Sequence, residues 1–240
     1  LKPLLVGSTK DWPARIYFNA WRGRVSARTQ QHRLDHRGQL FDMEADPGQS
    51  MDISKNHPHL TSRLSKAVHD WKKETYSAQV KRPFTVGHVN STSTHLPARD
   101  GVSHGTIKRS SPHPNCSFFT HWTSVDDSIT WDIEVLTPGR YTAEVYYTCK
   151  KENVGTELEL SFDGAKIRQS VNTAHDPPLV GESDNRINRG ESFVKDFKPM
   201  RLGILELPKK HGTLTLSATK IPGVEAIDVR YIILTRTNRP

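Results

Sequence analysis

WRGRVSARTQQHRLDHRGQLFDMEADPGQSMDIS, residues 21–54, decides how the first third of this 240-residue chain folds. Residues 25–34 alternate apolar and polar side chains and read as one strand. Asp35 and Gly38 bracket turn chemistry, and residues 39–43 read as the returning strand of a hairpin. Asp46-Pro47-Gly48 then stops the pairing, because proline has no N–H for a ladder and Pro-Gly favours a turn. Upstream, residues 16–19 read as a further strand. Downstream, Asn56 is placed as an N-cap and Pro58 in a first helical turn, while Leu60, Leu64, Ala67, Val68 and Trp71 recur at three- and four-residue spacing. That spacing predicts an amphipathic helix of about 15 residues lying on a small antiparallel sheet.

Beyond the helix the period disappears. STSTHLPARDGVSHGTIKRSSPHPN is rich in Ser, His, Pro and Gly, and residues 83–114 are expected to be a linker or extended arm. Strands then dominate. SITWDIEVL (128–136) and RYTAEVYYTC (140–149) flank a Thr-Pro-Gly turn, and residues 156–171 carry an Asp163-Gly164 hairpin signal. Residues 202–218 read as a second hairpin around 209–212, and residues 226–237 as a last strand. The fold class expected is α+β: a small antiparallel sheet with a packed helix over residues 1–82, then an all-β jelly-roll sandwich over residues 115–240.

The hydrophobic content of 34% and charged content of 25% are those of a polar globular chain, without an apolar run long enough for a membrane helix. The formal net charge of +8 is uneven. Residues 1–82 hold 15 Lys and Arg against 8 Asp and Glu, and residues 83–240 hold 19 against 18. A basic first region suits an anionic partner or a solvated basic face. Nucleic acid is disfavoured, because no helix-turn-helix, RNP-like or zinc-finger signature accompanies the charge. Cys116 and Cys149 have no CxxC spacing; one disulfide in an exported protein and two buried thiols both fit. His57-x-His59 beside Pro58 reads as a pair of turn histidines rather than a metal site, since no third ligand stands near. A Leu at position 1, without a leader pattern, reads as a fragment or processed piece.

The series "VSARTQQHRL", "GQLFDMEADPGQSMDIS" and "HPHLTSRLSKAVHDWKKE", with the upstream "DWPARIYFNAWRG", resembles the C-terminal subdomain of the sulfatases, the formylglycine-dependent sulfuric ester hydrolases, of arylsulfatase or N-acetylgalactosamine-6-sulfatase type. The run WDIEVLTPGRYTAEVYY resembles the strand, Pro-Gly turn and Tyr strand of carbohydrate-binding modules with a galactose-binding-like jelly roll. Planctomycete-type sulfatases are similar in carrying such a sandwich after that subdomain. The resemblance implies a non-catalytic C-terminal portion of a secreted or periplasmic sulfatase acting on sulfated polysaccharides, with the missing N-terminal sulfatase domain as partner. It implies formylglycine and calcium in that missing domain and no cofactor in this chain. The C/S-x-P-x-R nucleophile motif is absent: Cys116 leads into Ser-Phe-Phe-Thr, Cys149 into Lys-Lys-Glu-Asn, and Ser110-Ser111-Pro112 meets Pro114 where Arg is required. No catalytic residue is therefore expected here, and a free-standing carbohydrate-binding protein is the alternative.

Candidate substrate-binding residues are His36 and Arg37 at the hairpin turn, with Arg24, Arg28 and Arg33 lining an anionic path. His32 also flanks that turn. Trp122, in an irregular stretch, is a candidate for stacking on a sugar, whereas Trp131 and Tyr146 in alternating strands read as core. The polar segment 172–199 is long for a structureless loop, so His175, Asp176, Asp184, Arg186, Arg189 and Lys195 are candidates for contact with a glycan, a sulfate or another domain.

Overall fold

In the computed structural model, which describes residues 5–7, 14–76 and 82–237, the expected strand 25–34 is two strands. β2 (Arg24–Arg28) and β3 (His32–Leu34) pair antiparallel with Arg28 opposite Arg33. The break has a local cause: the Thr29 hydroxyl accepts the His32 N–H at 2.9 Å while the Thr29 N–H donates to the His32 carbonyl, also at 2.9 Å. A threonine side chain thus offers the backbone a turn in place of a ladder. β1 (Tyr17–Trp21) joins β2 through Arg22 and Gly23, both at positive φ, and β4 (Leu40–Asp42) closes a sheet in the order β1-β2-β3-β4.

Three aspartates shape the chain after β4. Asp42 accepts from the Glu44 and Ala45 N–H groups, Asp46 from Met51, and Asp52 from Leu40 and Ser54, all at 2.8–3.0 Å. These backbone donors, led by Ala45, Met51 and Ser54, hold the three carboxyls below their usual range. Because the folded values are depressed, that stabilisation is complete above the ordinary carboxylate pKa and is lost as pH falls through the lower folded value.

Helix α1 (Pro58–Tyr76) runs longer than expected, and His57 rather than Asn56 precedes it; the His57 carbonyl accepts from Thr61 N–H at 3.0 Å. Pro58 occupies the first helical position, where its missing N–H costs nothing. Leu64 is fully buried against Ala27, Leu34 and Leu40, with Leu60 and Val68 packed beside it. Trp71 stacks on Phe18 with centroids 5.3 Å apart. The chain divides after this helix into two compact units, Leu1–Lys81 and Arg82–Pro240.

The second unit is a sandwich of two six-stranded sheets. Residues 83–114 are not a linker: β5 (Phe84–Val86), β6 (Ser93–Pro97), β7 (Val102–His104) and β8 (Lys108–Arg109) all lie in the sheets. These pieces are too short to show a period, yet Val86, Leu96, Ala98 and Ile107 reach the core. β9 (Phe119–Thr120), β10 (Ser128–Val135), β11 (Gly139–Thr148), β12 (Glu157–Phe162), β13 (Ala165–Ser170), β14 (Lys198–Leu207), β15 (His211–Lys220) and β16 (Asp228–Arg236) complete it. One sheet runs β13-β12-β15-β10-β5, with β7 also on β10; the other runs β14-β11-β16-β9-β8, with β6 also on β16.

β12 and β13 form the expected hairpin, turning at Asp163 and Gly164, both at positive φ. Residues 202–218 do not form one. β14 pairs with β11 in one sheet and β15 with β10 and β12 in the other, so the chain crosses the core between them. Both strands alternate, and alternation alone does not tell a hairpin from a crossing.

The β10–β11 crossing is tied by Tyr141. Its ring is fully buried, its hydroxyl donates to the Thr137 carbonyl at 2.6 Å, and the Thr137 hydroxyl donates to the Gly87 carbonyl at 2.6 Å. Gly87 sits at φ +75°, and a Cβ there would lie 2.1 Å from the Tyr141 hydroxyl. Replacing Tyr141 by Phe leaves that carbonyl without its side-chain partner; we expect a loss of about 1–3 kcal/mol in urea unfolding of the full chain. An unchanged midpoint would show that the bond does not hold the corner.

Candidate functional site

In β11 the inward positions are Tyr141, Ala143, Val145 and Tyr147, all buried. Arg140, Thr142, Glu144 and Tyr146 consequently face outward. Tyr146 is therefore not a core residue, although Trp131, 1% exposed, is. Across the register Tyr146 stands opposite Tyr231 of β16, with ring centroids 4.2 Å apart and planes inclined by 35°. On the other side of Tyr231, His95 of β6 presents its ring edge-on at 4.2 Å and 82°. A row of three rings thus crosses three adjacent strands on the outer face of the sheet.

A cleft of about 450 Å³ adjoins this row. His95, Pro97 and Tyr231 line it from the sheet, Arg99 from the turn after β6, Asn115 from the segment before β9, and Arg230 from β16. Each wall is braced. Arg109 donates to the Ala98 and Gly101 carbonyls at 2.9 and 2.6 Å, holding the turn that carries Arg99. The Arg230 guanidinium donates to the Ser117 carbonyl. Asn115 donates to Glu191 at 3.0 Å, Ser111 to the Gly190 carbonyl at 2.7 Å, and the Ser110 and Ser192 hydroxyls meet at 2.6 Å. The long segment 172–197 therefore buttresses one wall of the cleft.

Burial, then Arg230 and Arg99, hold the His95 imidazole below its usual range. The Tyr231 phenol is raised by burial first and by Tyr146 next. Both shifts favour the neutral form, so at neutral pH His95 and Tyr231 are uncharged, and the row brings together one imidazole and two hydroxyls. That set can stack on an apolar ring face and exchange hydrogen bonds at its edges.

The residues expected from sequence lie elsewhere. His36 and Arg37 are exposed at the β3–β4 turn, where the Arg37 N–H is held by Asp35 at 2.8 Å. Arg33 is bound to Gln49. A concavity of about 740 Å³ in the first unit is lined by Arg15, His32 and Arg63, not by Arg24, Arg28, Arg33 or Arg37. Trp122 is 1% exposed in the sandwich core, its indole donating to the Ser124 carbonyl at 3.2 Å, so no sugar can stack on it.

His175 bridges Cys149 through paired backbone bonds of 2.7 and 2.8 Å. Lys195 is held between Asp176 and Asp228, each at 3.0 Å. Arg189 lies over the Phe193 ring, 4.2 Å from its centroid, and Asp184 and Arg186 are exposed. Cys116 and Cys149 are free thiols, and burial pushes Cys149 up to about 11. Among the described residues no cluster of His, Cys, Asp and Glu is arranged to hold a metal. His95, Arg99, Asn115, Arg230 and Tyr231 were not legible as a site. Tyr146 was, had the period been counted inward from Tyr141.

No protein-family model matches this chain, and no curated protein matches it. Among solved structures it is similar to the mosquito-larvicidal Cry4Aa toxin from Bacillus thuringiensis, at 15% identity and a TM-score of 0.47 over 68% of this chain. It is similar to a family 35 carbohydrate-binding module from Clostridium thermocellum, at 10% identity and a TM-score of 0.42, covering 61% of this chain and all of that one. The C-terminal CBM6 of LamC from Zobellia galactanivorans matches at 10% and 0.41, covering 60% of this chain and 99% of that one. The chain spans 26% of the toxin's length. Likenesses of this size carry no functional argument, and the β-sandwich stands on its own strand order.

Proposed function

We propose that the second unit binds carbohydrate on the outer face of the sheet containing β11, β16 and β6. The row His95–Tyr231–Tyr146 carries this reading. Sugar rings present apolar C–H faces that stack on aromatic rings, and their hydroxyls pair with groups of the kind that edge this row. Tyr231→Ala or Tyr146→Ala in the full chain is expected to lower affinity for a bound polysaccharide at least tenfold, about 1.4 kcal/mol, in affinity gel electrophoresis. Circular dichroism should stay unchanged, because neither ring enters the core. Full retention of binding by both variants would remove the ring row from the function.

A finer reading is that this binding unit belongs to the non-catalytic tail of a sulfatase. The residue order of the first unit supports it, as does the edge strand β1, whose Tyr17 and Trp21 are 57% and 71% exposed. Such an edge suits docking against a further domain. On this reading the isolated chain turns over no chromogenic aryl sulfate, with or without calcium. Calcium-dependent turnover would overturn it.

His95 also predicts a pH effect on stability. Its folded pKa is depressed, so the unfolded chain binds more protons as pH falls below about 6.5. The contribution is intact above that value and is lost on acidification through it. His95→Phe should therefore flatten the melting-temperature profile between pH 7 and pH 5. Profiles of identical shape would show that the imidazole is not desolvated.

A further inference from the structure

We propose that the sugar taken by this face carries an anionic substituent, a sulfate ester or a uronate carboxylate, seated between the guanidinium groups of Arg99 and Arg230. The inference rests on the carbohydrate reading and narrows it to a class. Two arginines line the cleft, and among the described residues no Asp or Glu does. The two are not equivalent. Arg99 pairs with Asp100 at 3.1 Å, which neutralises part of its charge.

Arg230 is half-buried, and its one described partner is the neutral Ser117 carbonyl. No carboxylate balances it among the described residues. The bond to Ser117 fixes the guanidinium before any ligand arrives and leaves its other N–H donors for a planar or tetrahedral oxyanion. Holding the donor in place beforehand lowers the ordering cost on binding. The positive charge is local rather than general, because residues 83–240 hold 19 basic against 18 acidic side chains. His95 and Tyr231 line the same cleft as Arg99 and Arg230, so a sugar stacked on the row would place a ring substituent toward the arginines. Both guanidiniums act electrostatically on His95, as expected of charges facing one small space.

The test uses the full chain in isothermal titration against four polymers: a sulfated galactan and its desulfated form, and polygalacturonate and its carboxyl-reduced form. At least one charged polymer is expected to bind tenfold or more tightly than its neutral counterpart, with affinity falling as salt rises, and the favoured pair identifies sulfate or carboxylate. Arg230→Gln should bring the charged and neutral affinities together, Arg230→Lys should restore only part of the preference, and Arg99→Gln should have a smaller effect.

The basic first unit could attract polyanions unselectively, so a preference that survives both Arg→Gln variants overturns the proposal. Equal binding of charged and neutral polymers that is still lost in Tyr231→Ala overturns the anion preference and leaves the carbohydrate reading standing. No binding to any of the four overturns the anion proposal, and a wider neutral glycan panel then decides the carbohydrate reading.

Discussion

The hydroxyl of Tyr141, donated to the Thr137 carbonyl at 2.6 Å, ties the corner at which the chain of the second unit passes from one sheet to the other. The chain leaves β10 in one sheet and must enter β11 in the other within a few residues. At so tight a corner the Thr137 carbonyl, part-buried, takes its hydrogen bond from a side chain, and leaving such a carbonyl unpaired is costly. Tyr141 supplies the donor while its ring fills the space between the sheets. Thr137 passes the arrangement on to Gly87, at the end of β5, so three strands meet at one point. Once β11 is anchored there, its register places Tyr141, Ala143, Val145 and Tyr147 inward. The same alternation turns Thr142, Glu144 and Tyr146 to the outside. The outer aromatic row is thus a geometric consequence of the inner one.

Much of this was legible in the residues. The Pro-Gly turn, the Asp163-Gly164 hairpin and the long alternating strands announce a sandwich because each has a local cause. What escaped were features that depend on partners distant in sequence. β5 to β8 are two to five residues each, and only their pairing with β10, β16 and β9 makes them strands. The β14–β15 crossing reads as a hairpin because both strands are half apolar, which holds whether they share a sheet or face each other across the core. Trp122 sits in an irregular stretch, but its irregular backbone wraps it into the core, where the Ala226 N–H donates to its carbonyl at 2.8 Å. The cleft was invisible for the same reason: Arg99, Asn115 and Arg230 come from separate segments that only the fold brings together.

The first unit shows the opposite case. Asp42, Asp46 and Asp52 give "FDMEADPGQSMDIS" its character, and each is explained by the backbone N–H groups it accepts. A resemblance carried by such residues therefore speaks first to a shared way of turning the chain, since the same aspartates would be required whatever the sheet served.

Charge compensation sharpens the contrast between structural and functional groups in the sandwich. Glu159, nearly buried, is met by Lys166 at 2.9 Å and Arg168 at 2.7 Å. Asp127, buried, accepts from the Thr106 hydroxyl and N–H and from the Ser124 N–H. Lys195, the anchor of the long 172–197 segment, has Asp176 and Asp228. Glu159 and Lys195 are met by opposite charges and Asp127 by hydrogen-bond donors, and leaving any of the three unsatisfied would be destabilising. Arg230 has one described hydrogen bond, to the Ser117 carbonyl. On the proposal of an anionic sugar, this guanidinium, without a counter-charge among the described residues, is the group that would meet the anion, and it stands beside the aromatic row on the same face.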